Sequence, residues 1–153
     1  MAHRREIREA VLQALYSEEV GKNDWEGILN SFLKTKLNSN KEEYKFAEKL
    51  FLKTLNNAEE IDDVIEKHIN NWKIERLNVM DKIIIRMAIC EFLFFEQIPT
   101  KVTINEAIEI AKRFSTSKSG NFINGILDAS LTDLKEDGRV EKKGRGLIES
   151  SIN

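Results

Sequence analysis

A chain of 153 residues, 41% apolar, with one proline and seven glycines, can build one domain with a real core or two very small lobes. It has too few turn formers for many short strands. A formal net charge of −2 and an isoelectric point near 5.8 exclude a generally basic polyanion binder, so any nucleic-acid contact must come from a local patch.

The single cysteine, Cys90, excludes an internal disulfide and suits a reducing compartment. The N-terminus "MAHRREIREA" is charged from residue 3 and lacks an apolar signal core. The most apolar run, residues 83–95, is too short to span a bilayer and carries Arg86 and Glu91. Together these features predict a cytoplasmic protein with no membrane attachment.

Apolar periodicity predicts helices in chain order. In "HRREIREAVLQALYSEEV" Ile7, Ala10, Val11, Ala14 and Leu15 recur as the stripe of an amphipathic helix. "GKND" breaks it. Trp25, Leu29, Phe32, Leu33 and Leu37 mark a second helix, and Tyr44, Ala47, Phe51 and Leu55 a third. The pair Asn56 and Asn57 is a soft boundary. Ile61, Val64, Ile65, His68, Ile69 and Trp72 form the stripe of a fourth helix. Asn78 reads as an N-cap with Asp81 in a capping-box position. The helix that follows, "VMDKIIIRMAICEFLFF", is apolar at thirteen of seventeen positions. It must be buried on most sides, with the other helices packed around it.

Pro99 lies beyond its end. "IPTKVTINEAIEIAKRF" supplies a sixth helix, capped by Thr100 or by Thr103 with Glu106. At about 100° per residue, Asn105, Glu106, Glu109, Lys112 and Arg113 share one arc. Ile104, Ala107, Ile108, Ala111 and Phe114 share the opposite one. The polar group is therefore the hydrated face of an amphipathic helix. "STSKSG" is a connector, and "NFINGILDASLTDL" is a seventh helix with Ile123, Leu127, Leu131 and Leu134 as apolar positions. Gly125 inside it costs about 1 kcal/mol against alanine unless close packing needs it. Residues 135–153 have no periodicity and three of the seven glycines, the pattern of a flexible charged tail. The expected architecture is all-α: about seven helices around a buried central one, in a single helical domain over residues 1–134.

Catalytic and metal chemistry find little support. His3, His68 and Cys90 have no ligand spacing. Cys90 reads as a buried, inert thiol and His68 as a hydrogen-bonded core histidine. No glycine-rich nucleotide loop is present. "SKSG" ahead of a helix is a weak candidate for holding one phosphate, with a simple connector the better reading. Arg86 and Glu91 interrupt a buried helix, so each is expected to find a partner on another helix. No enzyme, no metal and no cofactor is expected.

The first helix is different. Arg5, Arg8, Leu12 and Tyr16 run along one edge at spacings of 3, 4 and 4, with Arg4 on the same side. Guanidinium groups for phosphates and an aromatic face for stacking are what single-stranded RNA requires, and this rim is expected to stay open to water.

The stretches "RREIREAVLQALY", "WKIERLNVMDKIIIRMAICEFL", "IPTKVTINEAIEIAKRFST" and "NFINGILD" resemble those of the NusB transcription antitermination family, in that family's order and spacing, over roughly residues 4–132. The resemblance implies two perpendicular three-helix lobes with one additional helix, and no enzymatic activity. It implies binding of boxA-type single-stranded RNA in ribosomal RNA transcripts, together with the ribosomal protein NusE. Other Nus factors and RNA polymerase are implied as indirect partners. Carried over by position, Arg4, Arg5, Arg8 and Tyr16 would face RNA, as would Lys118, Asn121 and Phe122. Glu75 and Asp81 would lie toward the ribosomal protein.

The chain departs from the family's pattern at Glu6, where the basic run often extends, and at Gly120 and Asn121, which replace a His-Lys pair. Lys118 stands where an acidic residue is frequent. An alternative reading is a protein-only helical scaffold or homodimeric interaction module that hides the arginine edge.

Overall fold

Helices form wherever the apolar stripes run. The computed structural model describes residues 4–37, 40–69 and 73–148, and among these it contains no strand. His3, Trp72 and residues 149–153 lie outside the described residues. The elements are α1 (Arg4–Glu19), α2 (Trp25–Gly27), α3 (Lys34–Leu37), α4 (Lys41–Asn56), α5 (Ala58–Glu66), α6 (Val79–Phe94), α7 (Thr100–Phe114) and α8 (Ser119–Glu136). A π-helical stretch, Ile28–Leu33, joins α2 to α3 without a break, and single 3-10 turns occur at Ile74–Arg76 and Gly144–Leu147. No described helix is long and apolar enough to cross a membrane. The chain is all-α, as expected.

The described residues divide into two compact units at the Asn56–Asn57 boundary. Each unit closes a core of its own, in keeping with the two small lobes that the resemblance implies. In the first, α1 packs on α4 and on the π-helical stretch, burying Ile7, Val11, Leu12, Leu33, Leu50 and Phe51. The second helical run buries Leu29, Leu33 and Leu37 of its stripe but departs from it at the start. Trp25 is exposed, while Ile28 is buried beside Leu29 and Leu33. The wider π turn rotates the following residues past the α-helical register, so the buried face skips Trp25 and takes Ile28.

In the second unit α6 is central, packed against α5, α7 and α8. Asn78 caps it, its Oδ1 accepting from the amides of Met80 at 2.9 Å and Asp81 at 3.2 Å. Both interrupting charges find partners on other helices, as expected. Arg86 grips Asp62 of α5 with Nε and Nη2, each 2.7 Å from a different carboxylate oxygen. Glu91, buried, accepts from Thr103 Oγ1 of α7 at 2.8 Å. Cys90 is buried. Thr100 opens α7 as its first residue after Pro99, with no side-chain cap, and Thr103 is spent on Glu91, so neither threonine acts as the expected cap. On the outer arc of α7, Glu109 pairs with Lys112 at 2.8 Å.

The fourth helix is shorter than its stripe. α5 ends at Glu66, and Ile69 is buried from the turn that follows. His68 lies in that turn, half-buried, with Nε2 2.6 Å from Asp133 Oδ2 on α8.

α8 begins two residues before the expected start, at Ser119. Gly125 sits on its exposed side, and a Cβ added there meets nothing within 4 Å. Close packing therefore does not require it. Gly125→Ala is expected to stabilise the fold by about 1 kcal/mol, since alanine loses less backbone freedom in a helix. Thermal denaturation followed by circular dichroism reads this as a rise in Tm of roughly 2–4 °C. A fall in Tm would mean that the glycine serves the fold in some other way.

Candidate nucleic-acid interface

The expected RNA-facing residues fall on both units. In the first, Arg4 and Arg5 open α1 and are exposed. Arg8 is not: only 4% of it reaches solvent, and Leu12, expected on the same open rim, is wholly buried. The open-rim expectation is corrected for these two residues, and helix geometry gives the reason. At about 100° per residue, Arg8 projects about 20° from Leu15 and about 40° from Leu12. It therefore lies within the apolar face, not beside it. Tyr16 is half-buried at the edge of that face.

Phe46 of α4 organises the arginines. The Arg4 guanidinium carbon lies 3.9 Å from the ring centroid and that of Arg8 5.5 Å. Phe46 is itself buried, so a greasy ring carries cationic groups on its π-system. Such contacts are worth about 0.5–2 kcal/mol each, rising with desolvation. Arg4 is thus held against α4 while remaining exposed. Two residues before Phe46, burial and then the neighbouring Glu48 carboxylate hold the Tyr44 phenol above its usual range. Its hydroxyl donates to Glu48 at 3.4 Å.

In the second unit Lys118, Asn121 and Phe122 are all exposed at the start of α8, Phe122 by 38%. A chain of hydroxyls fixes that start. Ser115 Oγ donates to Asp81 Oδ1 at 2.6 Å and lies 3.0 Å from Ser119 Oγ, which lies 3.0 Å from Thr116 Oγ1. Two expectations change here. Asp81 does not close a capping box: its amide is taken by Asn78 while its carboxylate turns to Ser115. It is only 7% exposed, so it offers little surface to a partner, whereas Glu75 is exposed. Nor does the segment before α8 make a phosphate cradle. Ser119 is buried in the hydroxyl chain, and that chain ends on a carboxylate.

Sequence reasoning missed Ser115 and Ser119 as positioning residues, although their hydroxyls flanking a helix start were visible. It also missed Arg76. Arg76, Leu77, Ile69 and Phe122 line a groove of about 360 Å³ whose floor includes Asp81. The groove joins an exposed aromatic ring, a guanidinium and buried acceptor oxygens. A flat, polar-edged ring such as a nucleobase can stack in such a setting. Among the described residues no group of three His, Cys, Asp or Glu side chains could hold a metal ion.

The NusB family pattern matches residues 5–132. A relative from Salinibacter ruber, a transcription antitermination protein NusB, is 47% identical over 148 residues, spanning 97% of this chain and 92% of its own. The solved NusB of T. maritima superimposes with a TM-score of 0.80 at 39% identity, covering 86% of this chain and 92% of that one. A chain from the crystal structure of antitermination factors NusB and NusE in complex with dsRNA gives a TM-score of 0.76 at 25% identity, covering 85% and 96%. With the fold matched over most of both lengths and the pattern matched from Arg5 to within the last turns of α8, the chain belongs to the NusB family.

Proposed function

We propose that this protein is a non-enzymatic antitermination factor that binds boxA-type single-stranded RNA of ribosomal RNA transcripts together with the ribosomal protein NusE. Other Nus factors and RNA polymerase are engaged indirectly. Family membership, with a relative solved alongside NusE and RNA, is the observation that carries this reading. The exposed side chains supply the chemistry. Arg4, Arg5 and Lys118 offer cations for phosphates, and Phe122 offers a ring for a base. Tyr16, half-buried, offers the edge of a second ring. Arg8 and Asp81 act from beneath: Arg8 with Phe46 supports the α1 surface, and Asp81 through Ser115 fixes the start of α8. Glu75 is the exposed acidic group for a basic ribosomal protein.

The mechanism is positioning. Two modest surfaces, one for RNA and one for protein, raise each other's occupancy through effective concentration. The test is a fluorescence titration of a boxA-like oligonucleotide with and without NusE, against a duplex control. NusE is expected to tighten single-strand binding at least tenfold, and Phe122→Ala to weaken it by about tenfold, a stacking contribution of roughly 1–3 kcal/mol. Duplex preferred over single strand, or no response to NusE, refutes the reading.

A further inference from the structure

The charged segment after residue 134 was expected to be a flexible tail, yet through residue 148 it has defined partners within the second unit. α8 ends in a Schellman turn. Gly138 takes the left-handed conformation at φ +70, its amide donates to Lys135 O at 3.0 Å, and the Arg139 amide donates to Leu134 O at 2.9 Å. The turn sends the chain back over the bundle. Arg139 reaches Glu60 of α5 at 2.8 Å. Lys142 then adds a cation to the end of α6, on carbonyls that also accept from the Phe95 amide at 3.1 Å and the Ile98 amide at 3.2 Å. The C-terminal end of a helix carries partial negative charge, and Lys142 Nζ donates to Glu91 O at 3.1 Å and Phe95 O at 2.8 Å. The Lys143 amide donates to Glu96 O at 3.0 Å, and its ammonium lies 3.8 Å from the Glu96 carboxylate. Gly146 is buried against the same residue, so close that any Cβ would collide with the Glu96 carbonyl.

We propose that residues 137–148 form a strap that closes on the C-terminal end of α6 and commits the tail's basic groups to acceptors inside the second unit. Four cations, Arg139, Lys142, Lys143 and Arg145, fall within seven residues, a density that could serve RNA if they were free. Three of them are engaged in the strap. The strap lies beyond the family match, which ends at residue 132. It holds the end of α6, the helix on which the second unit is built. Its register rests on Gly146, because only a residue without a side chain lets the backbone come so near Glu96.

The strap carries its own probes, since each of its four basic residues is a trypsin site. In the full-length protein, cleavage after residues 139–145 is expected to be slow. The amides of Lys143 and Gly146 are expected to exchange slowly with deuterium. Gly146→Val should open the strap and speed cleavage there by about tenfold or more, with cleavage elsewhere unchanged, because proteolysis follows the open population. Lys142→Met, which keeps side-chain bulk but removes the cap, should do the same more weakly. Wild-type protein cut in this segment as fast as either variant overturns the strap. A second arm, which rests on the RNA reading, measures boxA-like oligonucleotide binding by Gly146→Val. Affinity is expected to be no lower than wild type, and a several-fold loss would mean that the docked strap serves RNA. The protease arm contains no RNA, so the two failures are distinguishable.

Discussion

Replacing Asp62 with alanine is expected to cost about 2–4 kcal/mol, among the largest losses available outside the apolar core. The carboxylate takes both forks of Arg86, and the two side chains are only 15% and 20% exposed. Removing the anion leaves a guanidinium largely desolvated without its bidentate partner, and breaking a buried pair on one side costs about 3–5 kcal/mol. Residual exposure lowers that figure here. Arg86→Met should cost a similar amount, about 2–4 kcal/mol, because it leaves the Asp62 carboxylate, only 20% exposed, without its bidentate donor. The double variant Asp62→Ala/Arg86→Met, which removes both charges and keeps most of the volume of the arginine, should be the mildest, about 1 kcal/mol or less. Chemical denaturation of the four proteins gives the cycle, with Tm falling by roughly 6–12 °C in Asp62→Ala. A double variant as unstable as either single one would show that the pair contributes by attraction and that stranding a charge costs little.

That pair also marks what the sequence made legible. Charges in the middle of an apolar helix are costly enough that each must be answered elsewhere, and Asp62 and Thr103 answer Arg86 and Glu91. The helical stripes, the N-cap at Asn78 and the boundary at Asn56–Asn57 were legible for the same reason: each is a local constraint with a cost of order 1 kcal/mol or more. What failed depended on small angular differences or on contacts without periodicity. A stripe of Ile7, Val11 and Leu15 does not say how wide the buried arc is, and Arg8 lies only about 20° past Leu15. The π turn at Ile28–Leu33 shifts the face by part of a turn and leaves Trp25 outside. The strap is held by backbone amides, one lysine and a glycine contact. None of these produces a hydrophobic pattern, so a run of charges and glycines read as tail. At the candidate site the ring and cations that meet solvent were legible as residue types. Their supports, Phe46 under the arginines and Asp81 behind Ser115 at the start of α8, come from elements distant in sequence.

The second large effect separates exposed from buried arginines. The double variant Arg4→Ala/Arg5→Ala is expected to weaken binding of a boxA-like oligonucleotide by about 10–100-fold at low salt. Each phosphate contact on a single strand contributes about 0.7 to the slope of log K against log salt, so the slope should flatten by about 1.4. Fold stability should change little, because both side chains are exposed at the start of α1 and the Arg4–Phe46 contact is worth about 1 kcal/mol at such a position. Arg8→Met should behave in the opposite way. With 4% of the residue in water and its guanidinium 5.5 Å from the Phe46 ring, the side chain is part of the α1–α4 packing. Its replacement is expected to lower stability by about 1–3 kcal/mol and to leave the salt slope unchanged. Any loss of RNA affinity in Arg8→Met should then appear equally at low and high salt, since it would come from a displaced α1 surface and not from a lost ion pair. A flattened slope in Arg8→Met, with stability intact, would return Arg8 to the phosphate-binding edge and leave the buried arrangement without a role.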